Sequence, residues 1–435
     1  MSSSLDYDSI YRKNVPDSAE EDKVKNIVGT TKASIIKILQ EKRISAEVEL
    51  VGSTSKGTNL KGGDIDIFIV FPQSFTRDEI VKHGLEIGHR VLPDAKEKYA
   101  EHPYVFGYLE GHKIDIVPCY RIKLGDRVKS AVDRSPLHTR WVVENIDGAK
   151  RKWVVLLKVM LKSLGLYGSE IYRSGFSGYV CELLVIRFGN LENVLEFFAS
   201  SNRNLVVSFG NNNVKDESPL IVVDPVDPSR NAAAAVSLEN LSRFRVLSRE
   251  YLIEKSERYF SRQETENVRS HERGTVYRII SLPKPDLMDD ILIPQVQKMR
   301  KVIFSMSEAG GFHPIDTEIL VTDRINILIE LETFQRSGVT RHYGPPAYSS
   351  QTHNFLEMWK DRENLRGPFI VGDRIAVEIK QERDFESYIM SAIKEKDIGA
   401  HLNRLKEEIR ITNPGKSAGK LIIVRKYLGR TIFND

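Results

Sequence analysis

Two aspartates one residue apart, Asp64 and Asp66, open the run DIDIFIVF, which is apolar throughout from Ile67 to Phe71. Residues two apart on a β-strand project to the same side of a sheet, so the pair presents two carboxylates together. Such a pair makes a hard-oxygen site suited to Mg²⁺ held jointly with the phosphates of a substrate. Just upstream, AEVELV ends in Gly52-Ser53. There a residue without a side chain lets backbone approach a phosphate, and a hydroxyl with the amides of a following helix start donates to its oxygens. A two-metal site needs a third carboxylate on a neighbouring strand, and Asp115 in HKIDIVPCY is placed for it, with Ile114 and Ile116 facing the other way. Three acids among core residues are costly unless a cation neutralises them, which makes an ion-pair network or plain surface acids the weaker reading.

The elements that must hold these groups follow from periodicity. Glu20 to Lys42 reads as an amphipathic helix and AEVELV alternates as a strand. DIDIFIVF is apolar on both faces, as a central strand is, and YVFGYLE with HKIDIVPCY reads as a hairpin closed at Glu110-Gly111-His112. From Lys150 onward, Trp153, Leu156, Leu157, Met160, Leu161 and Leu164 recur at helical spacing as one apolar stripe, with Arg151, Lys158 and Lys162 on another face. Three like charges on one face repel unless an anion answers them, solvent exposure being the bland alternative. SGYVCELLVIRF and SLENLSRFRVLSREYLIEKSERYF add two helices. A charged segment from Glu254 to Arg273 follows, its second half reading as a boundary. VYRIISLPK, DRINILIELE and GPFIVGDRIAVEIK then return to strand patterns, and KLIIVRKYLGR makes a basic end. The expected fold is α+β and multidomain: a mixed-sheet head with helices over 1–148, a mainly helical neck over 149–260, and an α/β body and tail over 261–435.

A length of 435 residues exceeds a single core, and 41% apolar with 29% charged residues excludes collagenous and disordered classes. No apolar run approaches the roughly 20 residues of a membrane span, and MSSSLDYDSIYRKN has neither a basic start nor an apolar core, so a soluble, cytoplasmic protein is expected. Cys119 and Cys181 sit in apolar runs as buried reduced thiols do. The net charge of +4 is small, yet between Arg121 and Lys162 eleven Lys or Arg face four acids, a candidate surface for phosphates. A solvated face is the plain alternative. GKSAGKL near the C-terminus is one residue short between its glycines for a phosphate loop and has Leu421 where Ser or Thr is needed, so it reads as a basic turn.

GSTSKGTNLKGGDIDIF resembles the signature of the DNA polymerase β-like nucleotidyltransferases. SAVDRSPLHTRW, LLKVMLKSLGLYG, RSGFSGYVCELL, VVDPVDPSRNAAAAVS and KPDLMDDILIPQ, in that order across most of the chain, resemble the archaeal, class I, CCA-adding enzymes. The resemblance implies addition of C, C and A to the 3′ end of tRNA from CTP and ATP, without a template and with two Mg²⁺ ions. Asp64, Asp66 and Asp115 would be the metal carboxylates, Asp64 standing where the family often has Glu. Gly52, Ser53, Lys56, Lys158 and Tyr167 match triphosphate-binding positions, Lys56 replacing a common Arg and so lacking its bidentate fork. Ser135, where Thr is common, and His138 match contacts to ribose or phosphates. Arg230 matches the arginine that reads the Watson–Crick edge of the base, its planar donors suiting C and A better than U and G. A helix-start ion pair is the alternative for Arg230, a helix cap the expectation for Asn231, and a tRNA contact or hairpin support that for His102. The family is often dimeric, which makes a homodimer an expectation. Two other readings share the head chemistry or scaffold: a poly(A) or oligoadenylate-type polymerase, opposed by the neck and tail motifs, and a catalytically inactive RNA-binding protein, opposed by the retention of every acid and of Ser53.

Overall fold

The computed structural model describes residues 5–99, 103–126, 128–170, 173–210, 214–261, 273–415 and 421–433. The chain divides into two compact units, one of residues 1–264 with 431–435 and one of 265–430. The expected head and neck are therefore one unit, and the last residues return to it.

In this first unit α1 (Tyr7–Asn14) and α2 (Ser18–Glu41) precede β1 (Glu47–Val51), the short α3 (Gly52–Lys56) and β2 (Ile65–Phe71). α4 (Arg77–Val91), β3 (Lys96–Tyr99), β4 (Pro103–Leu109) and β5 (His112–Tyr120) complete an α/β layer. The five strands lie in the order β1-β2-β5-β4-β3, with β2 and β5 parallel and the other pairs antiparallel. α2 turns Ile27, Thr31, Ile35 and Ile38 inward at helical spacing, and its isoleucines join Ile65, Ile67 and Ile69 of β2 in one core. The hairpin of β4 and β5 turns at Glu110 (φ 49°) and Gly111 (φ 85°), the two left-handed residues that match strand twist.

Helices α5 (Ser135–Asn145), α6 (Gly148–Ser163), α7 (Gly178–Phe188) and α8 (Leu191–Ala199) follow. Next come β6 (Leu205–Val207), β7 (Leu220–Asp224), β8 (Asp227–Asn231) and α9 (Leu238–Ile253). Residues Val154 to Leu161 of α6 are all buried, Lys158 included, so the expected single stripe is in fact a helix enclosed on every side. α1, α7, α8 and a 3₁₀ turn at Glu257–Phe260 pack round it. α9 is shorter than its sequence pattern, because Glu254 is extended and the 3₁₀ turn is separate. Asn231 caps no helix. Its Oδ1 accepts from the Val222 and Ala233 amides at 3.0 and 2.9 Å, and its Nδ2 donates to Leu220 O at 3.0 Å, pinning the β7–β8 hairpin. Cys119 and Cys181 are buried and unpaired.

The second unit opens with β9 (Val276–Pro283), α10 (Asp289–Ala309), β10 (Pro314–Val321) and β11 (Arg324–Leu331). β12 (Val339–Pro346), α11 (Thr352–Lys360), β13 (Arg366–Val371) and β14 (Arg374–Lys380) form a smaller layer. α12 (Phe385–Ala392), β15 (Arg410–Thr412) and α13 (Ile422–Leu428) end it. A sheet of order β10-β11-β9-β15 buries its apolar face against α10 and α12, and Phe355 and Trp359 of α11 cover Ile375 and Val377 of the three-stranded sheet β12-β14-β13. The strands expected from VYRIISLPK, DRINILIELE and GPFIVGDRIAVEIK are all formed. Among the described residues no helix is long and apolar enough to cross a membrane.

Candidate active site

β2 and β5 run parallel with Asp66 directly in register with Asp115, so the two carboxylates stand side by side on one face. The other residues of β2 are buried and apolar. Burial and the negative charges of Asp115 and Asp64 push the Asp66 carboxyl up to about 7. Burial also raises Asp115, against the pull of Lys113. Asp64 lies just before β2 and its side chain is half exposed. Lys113, two residues before Asp115 on β5, donates to Asp64 Oδ2 at 2.7 Å and to Asp115 Oδ2 at 3.0 Å. Burial opposes that ammonium, but the two carboxylates hold it well above the usual lysine range.

Among the described residues no three acidic, histidine or cysteine side chains gather closely enough to share an ion, and Lys113 pairs with both Asp64 and Asp115. The donor set nonetheless fits a hard divalent cation. Three carboxylates outweigh one ammonium, that of Lys113, whose Nζ lies 3.0 Å from Asp115 Oδ1, and burial together with the charges of Asp115 and Asp64 drives Asp66 toward protonation.

Val51 pairs with Asp66, which brings the start of α3 beside the acids. Gly52 has φ +74°, and a Cβ built on it would lie 2.2 Å from Asp66 Oδ2. The room expected for a phosphate is thus taken by Asp66, and Gly52 is needed for that carboxylate. The Gly52 amide donates to Thr139 Oγ1 at 3.3 Å, and Thr54 Oγ1 to Asp64 O at 3.1 Å, which fastens α3 over the site. The Ser53 hydroxyl makes no hydrogen bond to any described residue.

Lys158 corrects the expectation of a charged second face on α6, and Lys56 joins it inside. Both are buried, and both end on Glu182 of α7, which is itself 1% exposed. Lys56 Nζ lies 2.5 Å from Glu182 Oε2, and Lys158 Nζ 3.2 Å from Oε1. Thr58 donates its hydroxyl to Glu182 at 2.6 Å while accepting from Lys158 at 3.1 Å. Burial would raise Glu182, but Lys158 and Lys56 hold it at about 2. The anion that answers these lysines is internal. Arg151, expected beside Lys158, donates instead to Lys56 O at 3.1 Å. The Tyr167 hydroxyl and Lys158 Nζ stand 3.0 and 3.5 Å from where a Cβ of Gly178 would be, so Tyr167 borders the same cluster.

Ser135, His138 and Arg230 do come together, lining a cavity of 680 Å³ with Ser177, Tyr179 and Asn231. Arg230 sits on β8, not at a helix start. Its Nη1 donates to Asp224 Oδ2 at 2.8 Å, and the same carboxylate receives His138 Nε2 at 2.8 Å and the Tyr179 hydroxyl at 3.0 Å. Burial lowers His138, leaving a neutral ring stacked on Tyr179 at 4.0 Å. Burial works against the charge of Asp224, but His138 and Arg230 hold its carboxyl below the usual range, so it accepts and His138 carries its proton on Nε2.

Lys113, Tyr179, Glu182 and Asp224 are the site residues sequence reasoning missed. A usable signal existed for two of them, since Glu182 is the one acid in the apolar run YVCELLVI and Asp224 ends the apolar run LIVVD. The basic stretch after Arg121 is less open than its composition suggests. Arg121, Arg134, Arg140, Lys150 and Lys152 pair with Glu47, Asp227, Glu49, Asp147 and Asp8, and Lys158 is inside. His102, Arg127 and residues 416–420 of GKSAGKL lie outside the described residues.

Residues 32–138 match the nucleotidyltransferase domain family, 152–261 the second domain of tRNA nucleotidyltransferases, and 273–413 the C-terminal domain of the CCA-adding enzyme. The chain is 43% identical over 433 residues to the CCA-adding enzyme of Thermoplasma volcanium, spanning 99% of this chain and 98% of that one. It is 43% identical over 431 residues to that of Picrophilus torridus, spanning 99% and 100%. Among solved structures it is similar to the Cid1 poly(U) polymerase, at 17% identity and a TM-score of 0.48, over 59% of this chain and 98% of that one.

Proposed function

The chain belongs to the CCA-adding enzymes, and from that membership we propose that it extends the 3′ end of tRNA by C, C and A from CTP and ATP, without a template, at Asp64, Asp66 and Asp115. The supporting observation is the register of Asp66 with Asp115, which sets two carboxylates side by side near α3 with Asp64 at the rim, three acids against the single ammonium of Lys113. Matches to tRNA nucleotidyltransferase and CCA-adding families beyond the head favour this reading over a poly(A)-type polymerase.

In this scheme residues 1–148 hold the chemistry, 149–260 the nucleotide and 261–435 the tRNA. Two Mg²⁺ ions bound at the three aspartates would lower the pKa of the tRNA 3′-hydroxyl and offset the charge of the departing pyrophosphate. Asp66 and Asp115 orient the reacting end from the sheet face, and Asp64, paired with Lys113 at the rim, would complete the set that holds the ions. Ser53 donates to the triphosphate through its hydroxyl and its amide, the Gly52 amide being held by Thr139. Lys56 and Lys158 act from beneath as fixed charge, two ammoniums against the single carboxylate of Glu182 leaving one positive charge. Ser135 and His138 hold the nucleotide and Arg230 reads its base.

The test supplies tRNA lacking CCA, Mg²⁺ and each triphosphate singly and together. Two C residues followed by one A are expected, and Asp66→Ala is expected to bind tRNA but not extend it. Long A tails, or tight binding without extension by the intact chain, would overturn the assignment.

A further inference from the structure

Resting on the reading of the Ser135, His138 and Arg230 cavity as the nucleotide pocket, we propose that Asp224 is the positioning residue that sets base selectivity. C and A share a ring-nitrogen acceptor where U and G carry an N–H, so an arginine donor fixed at that point favours the first pair. An arginine free to swing can follow the carbonyl oxygens of U instead. Selectivity therefore depends on what holds Arg230, and its side chain is 37% exposed with one ion pair among the described residues, to Asp224.

Asp224 is built to be immobile. It is wholly buried at the end of β7, and each carboxylate oxygen takes two donors. Oδ1 accepts from the Tyr179 hydroxyl at 3.0 Å and the Val226 amide at 3.1 Å, and Oδ2 accepts from His138 Nε2 and Arg230 Nη1, both at 2.8 Å. Four donors fill the lone-pair directions a carboxylate offers. One side chain thus fixes the plane of Arg230 from β8, the tautomer of His138 from α5 and the Tyr179 ring from α7. His138 then presents Nδ1 as an acceptor, and four of the five guanidinium N–H donors remain for a ligand. An asparagine at 224 would turn an NH₂ group toward two existing donors and release them.

The experiment measures kcat and KM of the full chain with CTP, ATP and UTP on tRNA lacking its end, for Asp224→Asn and Arg230→Ala. Losing a charge-assisted hydrogen bond should cut the CTP-to-UTP ratio of kcat/KM about tenfold in both variants, mainly through KM for CTP. A role in stability alone would lower all nucleotides equally and leave the ratio unchanged, which overturns the proposal. If Arg230→Ala collapses the ratio and Asp224→Asn does not, only the positioning role fails. If neither changes it, the pocket reading fails too. Should Asp224→Asn not fold, Tyr179→Phe keeps the ring and removes one donor. Its ratio should then fall about threefold, and an unchanged ratio overturns the proposal.

Discussion

The carboxylate of Asp66 occupies the space that a side chain at Gly52 would need, with Oδ2 only 2.2 Å from the Cβ position. The last turn out of β1 and the middle of the acid cluster are therefore shaped for each other. Gly52→Ala must either push Asp66 aside or move the chain out of its left-handed conformation. Misplacing a reacting group by about 1 Å can cost roughly a hundredfold, so single-turnover extension should fall by about that factor while tRNA binding in a gel-shift assay stays intact. Full activity would show that Asp66 can work from another rotamer.

Asp66 also gives the metal-free protein a pH dependence. Its carboxyl is pushed up to about 7 from an ordinary 3.8, so between those values the folded chain holds a proton that the unfolded chain has released. Stability therefore falls as pH rises through that window. Thermal midpoints without divalent ions should drop between about pH 5 and about pH 8 by more in the wild type than in Asp66→Asn. Added Mg²⁺ should recover more of the loss at the higher pH. Equal slopes in the two proteins would remove Asp66 as the source.

Glu182 is fully enclosed and is the shared carboxylate partner of two buried ammoniums, Lys56 and Lys158. Breaking such a cluster by removing one partner costs about 3–5 kcal/mol, because it leaves charge stranded away from water. Urea titration of Glu182→Gln should show a loss of that order, and Lys158→Met in the same chain should restore part of it. No coupling between the two substitutions would contradict the network.

Much of the catalytic sheet was readable from residue types alone. The apolar run behind Asp66 and the isoleucines flanking Asp115 specify strand, face and burial with local information, whereas Asp64 falls just before β2 and is half exposed. Lys158 shows where such reading stops. Helical spacing places it off the stripe of Trp153 and Leu157, but spacing carries no information about what packs on that second face, and here it is Glu182 from a helix 24 residues away. The alternative of a helix start at Arg230 fails for a related reason. In VVDPVDPSRN two Asp-Pro pairs hide a hairpin, so the arginine sits on a strand and meets Asp224 across the turn. Lys113 stands two residues from Asp115 on one strand, but its contact with Asp64 arises only when β5 lies beside β2, which no local pattern announces.

The enclosure of Lys56 and Lys158 has a bearing on ionic strength. Mobile ions weaken attraction between charges that face the electrolyte within about 8–10 Å, and they do so far less for charges shut inside protein. The surplus positive charge beneath α3 is of the second kind. Contacts made by surface arginines and lysines to a polyanion such as RNA are of the first. As salt rises, this chain should release tRNA well before it releases the triphosphate proposed to sit at α3, which filter binding of each at increasing NaCl checks.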